Sequence, residues 1–231
     1  MNGVFSILPV KDGAQVLVNL GLVHEAGRVN AYWDAWLDYM DECGWPLFGW
    51  YVWDKGFGLP GNWNGRLAPA HEFIFHFSKG GNNPANKWVD KKAESIKPNR
   101  TTIRKADGTM GKTSSPELGM QPKKIMDSVI RVTPHMGNKI GHPAMFPVAL
   151  CDAMYKSYAK AGDWAYEPFS GSGTSIIACE GMGMNCAAME LAPEYTDVAV
   201  KRWQDFTGQT ATLEGDGRTF DELKAERHGA V

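Results

Sequence analysis

No run of apolar residues in these 231 positions approaches the ~18 needed to cross a bilayer, which argues against a membrane-spanning helix. Cysteine is sparse: Cys43, Cys151, Cys179 and Cys186 stand alone, with no C-x-x-C pair. That spacing excludes a thiolate zinc site of ordinary design and a disulfide framework, and it points to reduced thiols in a cytoplasmic setting. No signal-peptide pattern opens the chain and no internal repeat runs through it. Net charge is only −2, so the chain as a whole has no electrostatic preference for a polyanion. None of the 13 prolines is adjacent to another.

What remains is ordinary material for a folded α/β domain. Apolar residues make up 43% and charged residues 22%, enough chain for one large domain or a domain with an insert. The charge is unevenly spread. Between Lys79 and Arg131 there are twelve Lys/Arg against five Asp/Glu, a local balance of +7 set into a remainder at −9. A basic segment in an acidic body is the footprint of phosphate contact, and equally of a loop kept soluble by its lysines.

Along the chain, Gln15 to Leu22 reads as a strand buried on both faces, as in a parallel sheet. Val29 to Cys43 carries Tyr32, Trp33, Trp36, Leu37 and Met40 at helical spacing, an aromatic stripe suited to core packing. Leu47 to Trp53 and Glu72 to Phe77 are strands joined by a glycine-rich loop, Lys55 to Arg66, with no helix between. Such a connection implies an antiparallel pair at one edge. From Lys79 to about Asn138 apolar periodicity fades, and basic clusters appear at Lys87, Lys91 and Lys92, at Arg100, Arg104 and Lys105, and at Lys123 and Lys124. So long a stretch without clear elements is a functional insert or a disordered segment. A helix follows from Val148 to Lys160, with Pro147 in its first turn.

Trp164 to Leu191 is the most informative stretch. Trp164 to Phe169 is a short aromatic strand, Ser170-Gly171-Ser172-Gly173 a turn, Thr174 to Glu180 a helix closed by Gly181 and Gly183, and Asn185 to Met189 a second strand ending at Glu190. Glycine turn, helix and a terminal acidic residue together fit a nucleoside-like ligand, the acid accepting hydrogen bonds from ribose. A nicotinamide dinucleotide fits less well, because Ile176 stands where a third glycine would. After Pro193 another helix carries Tyr195, Val198, Ala199, Trp203 and Phe206 on one face and ends at Gly208; Thr210 to Leu213 is a strand candidate, and the tail from Asp221 is charged.

These blocks, in this order, resemble the amino-methyltransferases of DNA, in the permuted class that places the cofactor half last. H-P-A-M-F-P at 142–147 is similar to the family's motif X, E-P-F-S-G-S-G-T at 167–174 to motif I with Glu167 for the usual aspartate, and M-E-L-A-P-E-Y at 189–195 to motif II. Upstream, Q-V-L-V-N-L-G, the stretch from Trp45 to Phe57 and A-H-E-F-I-F-H-F-S-K resemble motifs VI to VIII. The resemblance implies a Rossmann-like class I methyltransferase fold, α/β, with a mostly parallel sheet, an antiparallel edge pair and a basic irregular insert. It implies S-adenosylmethionine as cofactor, held by His142, Pro143, Phe146, Pro147, Glu167, Phe169, Ser170, Gly171, Ser172, Gly173, Thr174, Glu190 and Leu191. Double-stranded DNA is the implied partner, contacted by Lys87, Lys91, Lys92, Arg100, Arg104, Lys105, Lys123 and Lys124, with the target base flipped from the stack.

The implied domain plan is 1–78 for the first half of the sheet, 79–138 for the target-recognition insert, 139–220 for the cofactor half and 221–231 for a charged tail. One departure is large. The family presents its target amine with an Asp/Asn/Ser-Pro-Pro-aromatic tetrapeptide, and with no adjacent prolines this chain lacks it, so no catalytic residue is assigned. The segment bearing that tetrapeptide also supplies a central strand, so the sheet is expected to lack one. The expectation is a truncated or split methyltransferase acting on N6 of adenine before N4 of cytosine, working as a homodimer or with a complementing chain that carries the tetrapeptide. The alternative is an inactive DNA-binding relative. A residue such as Asn19 or one in the Lys55–Gly65 loop is a third way to present the amine.

Overall fold

A computed structural model describes residues 5–6, 10–58, 60–80, 84–91, 102–112, 122–134 and 147–229. The elements in chain order are β1 (Gln15–Leu20), β2 (Val23–Glu25), β3 (Arg28–Asn30), α1 (Asp34–Glu42), β4 (Leu47–Asp54), β5 (His71–Ser78), β6 (Val89–Asp90), β7 (Thr102–Arg104), β8 (Met110–Lys112), β9 (Lys123–Lys124) and β10 (Val129–Arg131). Then come α2 (Val148–Tyr158), β11 (Trp164–Glu167), α3 (Thr174–Gly181), β12 (Asn185–Ala188), α4 (Pro193–Thr207) and α5 (Phe220–Gly229).

The main sheet has the order β1-β5-β4-β10, and β5 runs against both β1 and β4 while β10 runs with β4. Three of its four strands therefore share a direction, with one antiparallel strand between them. A second sheet pairs β11 with β12 in parallel. Among the described residues nothing pairs with the outer edge of β1 or with the edge of β11 away from β12. Among the described residues the strands of the main sheet and of the glycine-turn unit thus form separate sheets.

Helices fix these pieces in layers. On one face of the main sheet, Phe73, Phe75 and Phe77 alternate inward from β5 and meet Val16, Val18 and Leu20 of β1, Trp33 at the cap of α1, and Trp36, Leu37 and Met40 of α1. Trp36 meets Phe77 edge-on at 5.1 Å between ring centroids, an arrangement that adds to simple burial. On the other face, Trp53, Ile74 and Ile130 pack against Leu150, Ala153 and Met154 of α2. The period of two along β5 sends its odd positions to one helix and its even positions to the other. α2 also packs on α3, so this one helix joins the main sheet to the glycine-turn unit. The β11–β12 pair is bare on its opposite face, where Trp164, Tyr166 and Met189 are exposed.

His76 sits fully buried on the α2 face in a satisfied polar chain. Its Nε2–H donates to Gln15 Oε1, Gln15 Nε2 donates onward to Gly13 O and Ser78 Oγ, and Nδ1 accepts from Tyr51 Oη at 2.8 Å. Tyr51 in turn accepts from Tyr158 of α2 at 2.7 Å. These roles require the neutral imidazole, and burial pushes the His76 pKa down to about 4.

Three features depart from the sequence reading. The aromatic stripe begins at Tyr32, but helix α1 starts only at Asp34, because Ala26 (φ 47) and Gly27 (φ 78) turn Val23–Asn30 into the hairpin β2–β3. Two central residues at positive φ are what a two-residue hairpin loop demands. Within the stretch read as insert, β10 is a strand of the main sheet, and Trp88 packs on the α2 core and donates from Nε1 to Ser157 Oγ at 3.0 Å. The segment Thr210–Leu213 makes only an isolated bridge, Thr212 to Thr219.

Candidate functional site

The turn after β11 is held by its own two acids. Glu167 Oε1 accepts the Phe169 N–H at 2.9 Å and its Oε2 accepts the Ser175 hydroxyl at 2.9 Å, so the strand's last residue folds the turn back onto the start of α3. Glu190, at the end of β12, accepts the Gly171 N–H at 2.6 Å on one oxygen and the Ala192 N–H at 2.9 Å on the other. Its carboxylate thereby clasps the turn across the ends of two parallel strands.

The two glycines have different reasons. Gly171 (φ 52) lies over the Glu190 clasp. Gly173 (φ 80) is closely approached by protein: a Cβ there would stand 2.7 Å from Ala199 Cβ and 3.1 Å from Ala199 Cα of α4. Glycine at 173 is required by the packing of α4 beneath the turn. Thr174 and Ser172 are likewise buried within the support.

Arg202 of α4 was missed by the sequence reading. Its guanidinium donates from Nη1 to the Ser172 carbonyl and, at 3.0 Å, to the Ser172 hydroxyl, and desolvation by burial lowers its pKa. A readable signal existed, since Arg202 lies three residues after Ala199 inside the apolar stripe of α4. Ser175, which braces Glu167, was also missed.

Around this framework the side chains open outward. Phe169 is 59% exposed and Leu191 98% exposed, one on the turn and the other next to Glu190. The Ser170 hydroxyl is buried without a protein hydrogen-bond partner among the described residues. Pro147 is buried as the residue flanking α2 and not as its first helical residue. His142, Pro143 and Phe146 lie outside the described residues. Cys151, whose Sγ is 3.9 Å from Ser175 Oγ, is pushed up to about 12 by burial and stays a protonated packing residue. The described residues hold no cluster of three metal-ligating side chains.

The basic residues divide by role. Lys87 and Lys123 are exposed, and Lys91 is half-buried beside the β6–β9 pair. Lys124 is engaged with both carboxylate oxygens of Asp127 at 2.7 Å, which takes its charge out of the free set. Arg104 and Lys105 are exposed on the β7–β8 hairpin. Lys92 and Arg100 lie outside the described residues. Asn19, considered as an amine-presenting residue, donates to the Phe73 carbonyl at 3.1 Å and is occupied within the sheet.

Residues 7–201 match the sequence pattern of the N6/N4 DNA methylase family. The chain belongs to that family. Among curated relatives it is 27% identical over 165 residues to the type II methyltransferase M.Cfr9I of Citrobacter freundii, covering 71% of this chain and 47% of the relative. It is 25% identical over 195 residues to the orphan methyltransferase M.BamHII of Bacillus amyloliquefaciens, covering 80% and 72%. The chain thus spans about half the length of several curated relatives it matches. Its fold is similar to that of PvuII DNA methyltransferase, described as cytosine-N4-specific, with a TM-score of 0.60 at 16% identity over 93% of this chain and 68% of that one. It is also similar to M1.HpyAVI in complex with SAM, with a TM-score of 0.55 at 21% identity over 84% and 76%. The fold is accordingly the mixed α/β class I methyltransferase fold, and the described helices include none long and apolar enough to cross a membrane.

Proposed function

We propose that this chain is the cofactor- and DNA-binding part of a DNA amino-methyltransferase that moves a methyl group from S-adenosylmethionine to an exocyclic base amine, N6 of adenine or N4 of cytosine. The observation that carries the reading is the Glu190–Gly171 clasp in a chain of this family. An orphaned buried hydroxyl lies next to that carboxylate at Ser170, and the exposed side chains of Phe169 and Leu191 flank the turn. A nucleoside with ribose hydroxyls and a flat base fits that set.

In this reading Glu190 accepts from the ribose hydroxyls, Phe169 and Leu191 cover the adenine, and the turn bearing Gly171 faces the amino-acid end. His142, Pro143, Phe146 and Pro147 close over the ligand, and Glu167, Ser172, Gly173 and Thr174 hold the turn in shape. When bound, the cofactor would supply a sulfonium methyl group for transfer to the base amine. The residue that orients the amine comes from polypeptide outside this sequence, since the family tetrapeptide does not occur here. Lys87, Lys91, Lys92, Arg100, Arg104, Lys105 and Lys123 contact DNA, with Lys124 restrained by Asp127.

Calorimetric titration with S-adenosylhomocysteine tests this. Binding by the wild type should weaken at least tenfold in Glu190→Ala, about 1.4 kcal/mol. A folded wild type that does not bind would end the proposal. Nucleoside mass spectrometry of DNA from cells expressing the chain with its neighbouring reading frames would then distinguish N6-methyladenine from N4-methylcytosine.

A further inference from the structure

The insert holds a small structure of its own. β7 and β8 form a hairpin with the register Thr102↔Lys112, Ile103↔Gly111 and Arg104↔Met110. Its three-residue loop, Ala106-Asp107-Gly108, is closed by the Lys105 N–H to the Thr109 carbonyl at 2.8 Å and the Gly108 N–H to the Lys105 carbonyl at 2.9 Å. Asp107, the hairpin's one acid, is consumed in the loop, accepting the Thr109 N–H at 2.9 Å and the Thr109 hydroxyl at 2.7 Å. The cations therefore have no carboxylate of the hairpin to neutralise them.

The two faces of the ribbon differ. On one, the Lys105 stem lies flat across Gly111, where a Cβ would come within 2.6 Å of Lys105 Cε. On the other, Arg104 stands opposite Met110, and its guanidinium reaches toward the tip, 3.9 Å from where a Cβ on Gly108 would be. Every residue from Arg104 to Met110 is exposed, Met110 at 66%. The ribbon thus presents one bare apolar side chain and one guanidinium side by side on the same face. Two strands ~5 Å apart are narrow enough for the ~12 Å major groove, which admits a two-stranded ribbon. An arginine fork matches the O6 and N7 acceptors of guanine, and an apolar tip matches the methyl of thymine.

Other basic residues of the insert are fixed to the body. The β6–β9 pair bears Lys123, and its approach is tied to α2 by Asn86 Nδ2, which donates to the carbonyls of Ala159 at 3.0 Å and Lys156 at 3.1 Å. Phosphate contacts fix register and base contacts specify sequence, and the cations of the anchored pair suit the first task.

We propose that the β7–β8 ribbon enters the major groove of duplex DNA, with Arg104 and Met110 reading base edges and Lys105 on the backbone. This rests on the DNA-methyltransferase reading above and adds which element sets the recognition sequence. The test is selection of binding sites from a randomised duplex library by the full chain, with fluorescence anisotropy on the selected duplex and S-adenosylhomocysteine titration as the folding control. The wild type should enrich a defined sequence. Arg104→Ala should lose tenfold to hundredfold discrimination at one guanine, and Met110→Ala should relax a neighbouring position. Lys105→Gln should weaken all duplexes alike and lower the salt slope by about one. Base preferences unchanged in Arg104→Ala and Met110→Ala, or a wild type that binds duplex without preference, would overturn the ribbon assignment alone. A wild type that binds S-adenosylhomocysteine but no duplex would overturn the DNA reading along with it.

Discussion

Replacing Gly173 by alanine tests the support beneath the glycine turn, because the structure separates two costs. The first is conformational: at φ 80 an L-residue pays roughly 1–2 kcal/mol. The second is steric, since the new methyl would meet Ala199 Cβ at 2.7 Å and Ala199 Cα at 3.1 Å, and crowding of this kind costs about 1–3 kcal/mol. Gly173→Ala should therefore lose about 2–5 kcal/mol. Gly208 is the internal control: its φ is 70 and no atom lies within 4 Å of a Cβ there, so Gly208→Ala should lose only the conformational part, roughly 1–2 kcal/mol. Urea unfolding followed by tryptophan fluorescence gives both values. Adding Ala199→Gly to Gly173→Ala removes the 2.7 Å contact but leaves the 3.1 Å one, so the double mutant should recover part of the steric cost. Equal losses for the two single alanines, or no coupling between positions 173 and 199, would refute the close approach of α4 to the turn.

His76 makes stability depend on pH. Its folded pKa of about 4 lies below the unfolded value of 6.5, so the unfolded chain binds the proton more readily between them. Its full contribution is present above pH 6.5 and is lost as pH falls toward 4, amounting to at most about 3 kcal/mol. The urea midpoint should fall over that window, and the part due to His76 should vanish in His76→Gln. Arg202→Met removes two charge-assisted bonds to Ser172 and should lower S-adenosylhomocysteine affinity about tenfold, with Arg202→Lys between it and wild type in the same titration. Trp88→Ala should cost about 2–3 kcal/mol in urea unfolding through lost packing on α2 and a lost hydrogen bond to Ser157.

The glycine-turn unit was legible from the sequence because its determinants are local. A short strand, a turn at Gly171 and Gly173, a helix and an acid at Glu190 follow one another within 28 residues, Trp164 to Leu191. The alternation of Phe73, Phe75 and Phe77 and the stripe of Trp33, Trp36 and Met40 revealed two faces that meet in the core. What escaped depends on partners distant in sequence. Strand β10 has only three residues, too few to show a period, and is a strand because β4 pairs with it from Val52 to Asp54. The demand for glycine at 173 comes from Ala199, and the role of Arg202 comes from Ser172, 30 positions away. Lys124 looked like a free cation until Asp127 was seen across the strand end.

The separation of the two sheets makes the described body adhesive. Along β1 and β11 the outward amides and carbonyls have no ladder among the described residues, and beside them Trp164, Tyr166 and Met189 leave the β11–β12 face unshielded. Unpaired edges of this kind invite another chain to add a strand, and exposed aromatics reinforce the invitation. Solubility and folding yield then depend on whether those edges and that face stay covered.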